Sequence, residues 1–180
     1  MEKRNRTKYT VLGMLAIAPF TGYEIKKMIQ TSTNHFWSES EGQIYPALIQ
    51  CVQECLATCK EELMKDTRRV KKIYSITAQG KKVLNTWLKK EAQPTLIRNE
   101  FLLKLFFGKN ATDNDNIHHL RHYQKSLEKE ILTYEEIRKK LTTAHKNSPH
   151  LKYWLIALDY GFKVAKAELL WCKESLKLFN

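Results

Sequence analysis

Between Leu151 and Phe179, apolar residues recur alternately four and three positions apart: Leu151, Leu155, Leu158, Phe162, Ala165, Leu169, Cys172, Leu176 and Phe179. That interval is the seam of a helix packed lengthwise on another helix. The preceding stretch echoes it with Ile117, Leu120, Leu127, Ile131, Tyr134 and Leu141, interrupted at Gln124 and Arg138. Lys146-Asn147-Ser148-Pro149 lies between them as a tight turn. The spacing therefore predicts an antiparallel hairpin of two helices, over about 113–145 and 149–179, each ~45 Å long at the usual helical rise.

The last helix carries a second apolar stripe: Ala157, Tyr160, Val164, Ala167, Trp171 and Leu178. One neighbouring helix cannot cover two stripes. Either the first half of the same chain covers the second stripe, or another copy does. A homodimer is the economical choice, because closed two-fold assemblies are the commonest oligomers. Leu155, Leu158, Phe162, Ala165, Leu169 and Trp171 are the expected interface residues.

Shorter elements precede the hairpin. Val11, Leu12, Leu15 and Ala16 mark a helix over 7–17, which Pro19 ends. Thr21 can cap the next helix through its hydroxyl, and a third begins between Ser40 and Tyr45 and runs to about Glu54. Pro46 is tolerated in a first helical turn but would kink a helix deeper in. Residues 56–63 and 71–77 look like two strands around a charged turn, and Thr77 can cap a fourth helix. Three helices followed by a β-hairpin are the plan of a winged helix-turn-helix. A short apolar helix over 98–107 is stopped by Gly108. The fold class is thus mostly α: an α+β winged helix over residues 1–93, then a helical region over 94–180, divided near Ala92-Gln93-Pro94-Thr95.

Three sequence blocks sharpen this plan. They are Thr21-Gly22-Tyr23-Glu24-Ile25-Lys26-Lys27, Gly42-Gln43-Ile44-Tyr45-Pro46-Ala47-Leu48 and Lys72-Ile73-Tyr74-Ser75-Ile76-Thr77-Ala78-Gln79-Gly80. In that order they closely resemble the winged-helix domain of the PadR family of bacterial transcriptional regulators. Arg98-Asn99-Glu100-Phe101-Leu102-Leu103-Lys104-Leu105-Phe106-Phe107 extends the resemblance into the second half, more loosely. The resemblance implies a homodimeric DNA-binding regulator, usually a repressor, with no chemistry of its own. It also implies that Gln43 and Tyr45 open a helix that enters the major groove, and that regulation comes from an effector.

Charge is compatible with a polyanionic partner. The chain has a formal net charge of +12 and a pI near 9.5, which points to nucleic acid or an anionic surface. Its distribution is uneven: no Lys or Arg occurs from Met28 to Cys59, where Glu39, Glu41 and Glu54 stand. Bare carboxylates near phosphates repel them, so the third helix is expected to contribute little affinity. The candidate base-reading side chains are Ser38, Ser40, Gln43, Tyr45 and Gln50, of which Gln suits adenine. Affinity is expected from the N-terminal arm, including Arg4 and Arg6, and from Arg68, Arg69, Lys71 and Lys72 on the wing. The base-free helix also motivates an alternative: a regulator-derived protein–protein interaction module whose sequence-specific DNA binding is weak or lost.

Other chemistry is sparse. Cys51, Cys55 and Cys59 lack the second ligand pair of a zinc site, and His118 with His122 lacks the ligand count for tight binding. No metal and no cofactor are expected. The catalytic patterns of hydrolases, phosphate-cradling loops and metalloproteases are absent, so the chain does not read as an enzyme. Trp154, Tyr160 and Trp171 are candidate contacts for a small aromatic effector, since some PadR relatives bind flat aromatic compounds in such a region. With no leader and no apolar run of membrane-spanning length, a cytoplasmic location and no membrane partner are expected.

Overall fold

The computed structural model describes residues 6–33, 36–63, 70–94 and 98–179, and the chain separates into two units, Met1–Pro94 and Thr95–Asn180. The first unit opens with α1 (Arg6–Ile17), which buries Val11, Leu12 and Leu15. At α2 (Gly22–Thr31) a capping box forms. Thr21 Oγ accepts from the Glu24 amide at 3.2 Å, and Glu24 Oε2 accepts from the Thr21 amide at 2.8 Å. These bonds occupy helix-start donors and leave a carboxylate at the positive end of the helix dipole.

α3 (Glu41–Gln53) turns Ile44, Ala47, Leu48 and Cys51 inward. Pro46 lies in its second turn rather than its first, and the helix continues through it to Gln53. The carbonyl that a helical proline crowds is the one four residues back, here that of Gly42. A Schellman closure ends α3: the Leu56 amide donates to the Cys51 carbonyl at 2.8 Å and the Cys55 amide to that of Val52 at 3.0 Å. Cys55 occupies the left-handed position of this motif, φ 57°, where glycine is usual.

β1 (Ala57–Leu63) and β2 (Val70–Ile76) pair antiparallel, from Ala57 opposite Ile76 to Leu63 opposite Val70. Phe20 adds one antiparallel rung by exchanging both backbone hydrogen bonds with Tyr74. Next, Thr77 caps α4 (Ala78–Leu88), its hydroxyl oxygen accepting from the Gly80 amide at 3.0 Å and its hydroxyl donating to the Cys55 carbonyl at 2.8 Å. One core unites these elements, with Leu12, Ile25, Ile29, Ile44, Leu48, Leu56, Tyr74 and Leu84 buried in it.

The second unit holds α5 (Glu100–Phe106), a single 3₁₀ turn, α6 (Asp113–Ala144) and α7 (Leu151–Leu176), followed by a 3₁₀ turn at Lys177–Phe179. Buried Asn116 ties the start of α6 back to the preceding turn, donating to the carbonyls of Gly108 and Thr112 at 3.0 and 3.1 Å. α6 and α7 form the expected hairpin. Its core is Leu120, Leu127, Tyr134, Leu158, Ala165 and Cys172, flanked by Leu155, Phe162 and Leu169. The ring of Tyr134 lies against the backbone of Gly161, where an added Cβ would come within 2.6 Å of its hydroxyl oxygen.

This packing corrects one expectation. Leu155, Leu158, Phe162, Ala165 and Leu169 are used by the seam with α6 of their own chain, so they are not the outward surface. The other stripe is the uncovered one: Ala157, Tyr160, Val164, Ala167, Trp171 and Leu178 are all exposed, Tyr160 to 70% and Leu178 to 85%. Of the expected interface set, only Trp171 lies on it. Among the described residues no helix is long and apolar enough to cross a membrane.

The glycines give opposite predictions at chemically similar positions. A methyl at Gly80 would lie 2.1 Å from the Leu56 backbone carbonyl, whereas one at Gly13 meets nothing within 4 Å. Gly80→Ala is expected to destabilise the first unit, because overpacking costs ~1–3 kcal/mol and outweighs a propensity gain of up to ~1 kcal/mol. Gly13→Ala keeps only that gain and should raise stability. Cys55→Gly should also stabilise, by ~1 kcal/mol, through relief of left-handed backbone strain. Urea midpoints for the three variants check all three signs.

Candidate nucleic-acid interface

The entrance to α3 is built on the start of α1. Trp37 Nε1 donates to Glu39 Oε1 at 2.7 Å, and Thr7 Oγ1 donates to Glu39 Oε2 at 2.9 Å. Thr10 Oγ1 reaches the same carboxylate at 3.4 Å, and the Arg6 guanidinium lies 5.8 Å from the Trp37 ring centre. Ser38 and Ser40, which flank Glu39 in the chain, are both exposed. An indole, two hydroxyls and a carboxylate fix the approach to the helix, which explains the need for Trp37 just before it.

Tyr45 is placed by an absence. A Cβ on Gly22 would fall 2.5 Å from its ring, so the bare backbone at the start of α2 is the surface on which the ring rests. The Thr-Gly-Tyr and Ile-Tyr-Pro blocks are therefore two halves of one fit. Tyr45 remains 42% exposed on its other side. Gln43 is exposed, with Oε1 accepting from the Ser40 amide and hydroxyl at 2.9 and 2.8 Å. Gln50 is turned along the helix, its Nε2 donating to Glu54 Oε1 at 2.7 Å.

The carboxylates around α3 are not bare, contrary to the sequence expectation. Glu39 is held as described, Glu41 pairs with Lys26, and Glu54 pairs with Lys8 and accepts from Gln50. Thr7, Lys8 and Lys26 are distant in sequence and on other elements, so a reading along α3 alone misses them. The Glu54 carboxyl is held below its ordinary value, first by Lys8 and then by Gln50. Glu24 is lowered too, chiefly by the Thr21 amide and hydroxyl.

On the hairpin, Lys72 meets Glu61 at 3.2 Å, Lys60 meets Glu62 at 3.0 Å, and Lys71 reaches Glu24 on α2 at 3.3 Å. These solvent-facing pairs are worth at most ~1 kcal/mol and are readily exchanged for another anion. Arg4, Arg68 and Arg69 lie outside the described residues.

The aromatic residues singled out in the second unit are spread along α7. Trp154 is flanked by His145 and His150, with ring centres 5.5 and 5.6 Å away. Trp171 meets the edge of Phe101 at 5.9 Å. They stand 17 positions apart on α7, ~25 Å along its axis, with Tyr160 exposed between them, so one protomer does not gather them into a single cavity. Sequence reading missed an open cleft of about 490 Å³ among Arg98, Phe101, Lys104, His119, His122 and Tyr123. It also missed one of about 740 Å³ beside the stacked rings of Tyr9 and Trp87, 4.7 Å apart.

Cys51 and Cys172 are fully buried, and that burial pushes the Cys51 thiol up to about 11 and raises that of Cys172. Cys55 and Cys59 are exposed. Among the described residues, no three His, Cys, Asp or Glu side chains stand close enough to share a metal ion.

Both lowered carboxyls predict acid sensitivity. Their folded-state values lie below the ordinary 4.5, so the stabilisation is complete above that value and is lost as pH falls through the folded one. Urea midpoints of the first unit should drop as pH falls below the ordinary carboxylate value, and Glu54→Gln should flatten that slope.

Residues 11–86 match the model of the transcriptional regulator PadR-like family, and residues 97–180 match that of the virulence activator alpha C-terminal region. The negative transcriptional regulator PadR of Bacillus subtilis is 34% identical over 101 residues, 56% of this chain and 55% of that protein. The match thus spans about half the length of that curated relative. The crystal structure of Bacillus subtilis PadR in complex with operator DNA superposes with a TM-score of 0.85 at 25% identity, covering 96% of this chain and 98% of that one. The crystal structure of smu.1604c from Streptococcus mutans UA159 gives 0.79 at 28% identity, covering 94% and 98%.

Proposed function

This chain belongs to the PadR-like family of transcriptional regulators, and we propose that it is a homodimeric repressor that binds a pseudo-palindromic operator in double-stranded DNA. The family is one of regulators and not of enzymes. The observation that carries the DNA-binding reading is the entrance to α3, where Arg6, Trp37, Glu39 and the Gly22–Tyr45 fit hold an exposed helix face on a rigid base. A helix presented in this way is what a helix-turn-helix places in the major groove. The operator complex of the Bacillus subtilis relative supports the same reading.

Affinity comes from phosphate contacts by Arg4, Arg6, Arg68, Arg69, Lys71 and Lys72, so binding is steeply salt-dependent. Dimerisation is supported by the outward stripe from Ala157 to Leu178, a largely apolar face that stays exposed although Trp171 meets Phe101 at one edge. Half-sites then lie one helical turn of DNA or a multiple apart. Release by a small aromatic effector is the finer part of the proposal. Its support is the exposed Tyr160 and the half-open Trp171 on that stripe, where a second copy would complete a ring-lined site.

Val164→Glu places a charge in the middle of the stripe. Sedimentation should show the wild type as a dimer at micromolar concentration and the variant as a monomer with weaker operator binding. Arg68→Ala with Arg69→Ala should lower affinity on all duplexes and flatten the salt slope by up to ~1 for each phosphate no longer neutralised, read by fluorescence anisotropy between 50 and 200 mM salt. A monomeric wild type would remove the dimer. A wild type that enriches no duplex would favour the protein-interaction alternative.

A further inference from the structure

Between its two ends, the exposed face of α3 carries no charge. Gly42, Pro46, Ile49 and Gln53 follow one another at intervals of four, three and four, which places them in one straight stripe. All four are exposed, and the stripe lies opposite the buried Ile44, Ala47, Leu48 and Cys51. The carboxylates at the two ends of the helix, Glu41 and Glu54, are taken up by Lys26 and Lys8. No Lys or Arg occurs on α3 at all.

At the centre stands Ile49, 55% exposed. Gly42 leaves the N-terminal end of the stripe low: beyond its chain neighbours and the helix's own backbone, the nearest atom to a methyl there would be Ser40 Oγ at 3.8 Å. Nothing in the packing of the protein thus requires glycine at this position. A side-chain-free backbone is what a close approach to another molecule needs.

This surface is selective in chemical terms. In the major groove, guanine is read mainly by Arg or Lys and cytosine by a carboxylate, adenine suits Asn or Gln, and the thymine methyl accepts an apolar contact. The α3 stripe offers only the latter two chemistries. We propose that Ile49 packs on a thymine 5-methyl group and that Gln53 pairs with an adenine edge, so that the core of each half-site is A·T. This specificity rests on the DNA-binding reading above.

The test begins with selection of duplexes from a random library by the full-length wild-type protein. In the enriched duplex, each half-site thymine is then replaced in turn by uracil, at symmetric positions, which removes only the methyl group. We expect an A·T core and one position where uracil weakens wild-type binding about fourfold per half-site, as burial of one methyl group is worth. Ile49→Ala should lose that discrimination and Ile49→Val should keep it. Because Ile49 is exposed, both variants are expected to melt like the wild type. A G·C core, or uracil effects equal in wild type and Ile49→Ala, would overturn the assignment of Ile49 and leave DNA binding intact. Failure of the wild type to enrich any duplex would overturn both.

Discussion

The geometry of the first unit converges on the backbone of Leu56. Its amide closes α3 through the Cys51 carbonyl, and its carbonyl accepts from the Thr77 amide at 3.0 Å. The same carbonyl lies where a Cβ on Gly80 would have to stand. The end of α3, the start of β1, the end of β2 and the cap of α4 are therefore fastened within a few ångströms of one peptide group. Such a corner keeps the hairpin at one angle to the helix it follows. Because buried backbone groups must be paired, the arrangement cannot relax without leaving amides and carbonyls empty.

Around that corner, charge and shape have separate duties. The carboxylates beside α3 are each held by lysines, hydroxyls or an indole, which leaves the helix face nearly neutral. Cations that remain exchangeable lie on the strands, in loose pairs that cost little to open. Long-range attraction and close-range recognition are thus carried by different elements of the unit. A substitution that alters one can leave the other nearly unchanged.

Much of this was legible in the sequence. The alternating spacing of Leu151 to Phe179 identified the α7 seam, and the caps at Thr21 and Thr77 marked helix starts to within a residue. Local signals succeed because caps and periodicity act over a few residues. Pairings such as Lys8 with Glu54 and Lys26 with Glu41 were not legible, since only the fold brings those groups together. Equally hidden was the fit of the Tyr134 ring against the bare backbone of Gly161, which a hydrophobic pattern does not show.

That fit has a further consequence. A heptad seam is degenerate: sliding α7 along α6 by seven residues returns apolar side chains to apolar positions. It does not return a glycine to Tyr134. Seven residues away in either direction stand Trp154 and Glu168, one too bulky for the ring and the other a carboxylate. The bare backbone of Gly161 thus favours one register over the slipped ones, together with the Tyr123–Glu168 and Arg138–Asp159 contacts between the same helices.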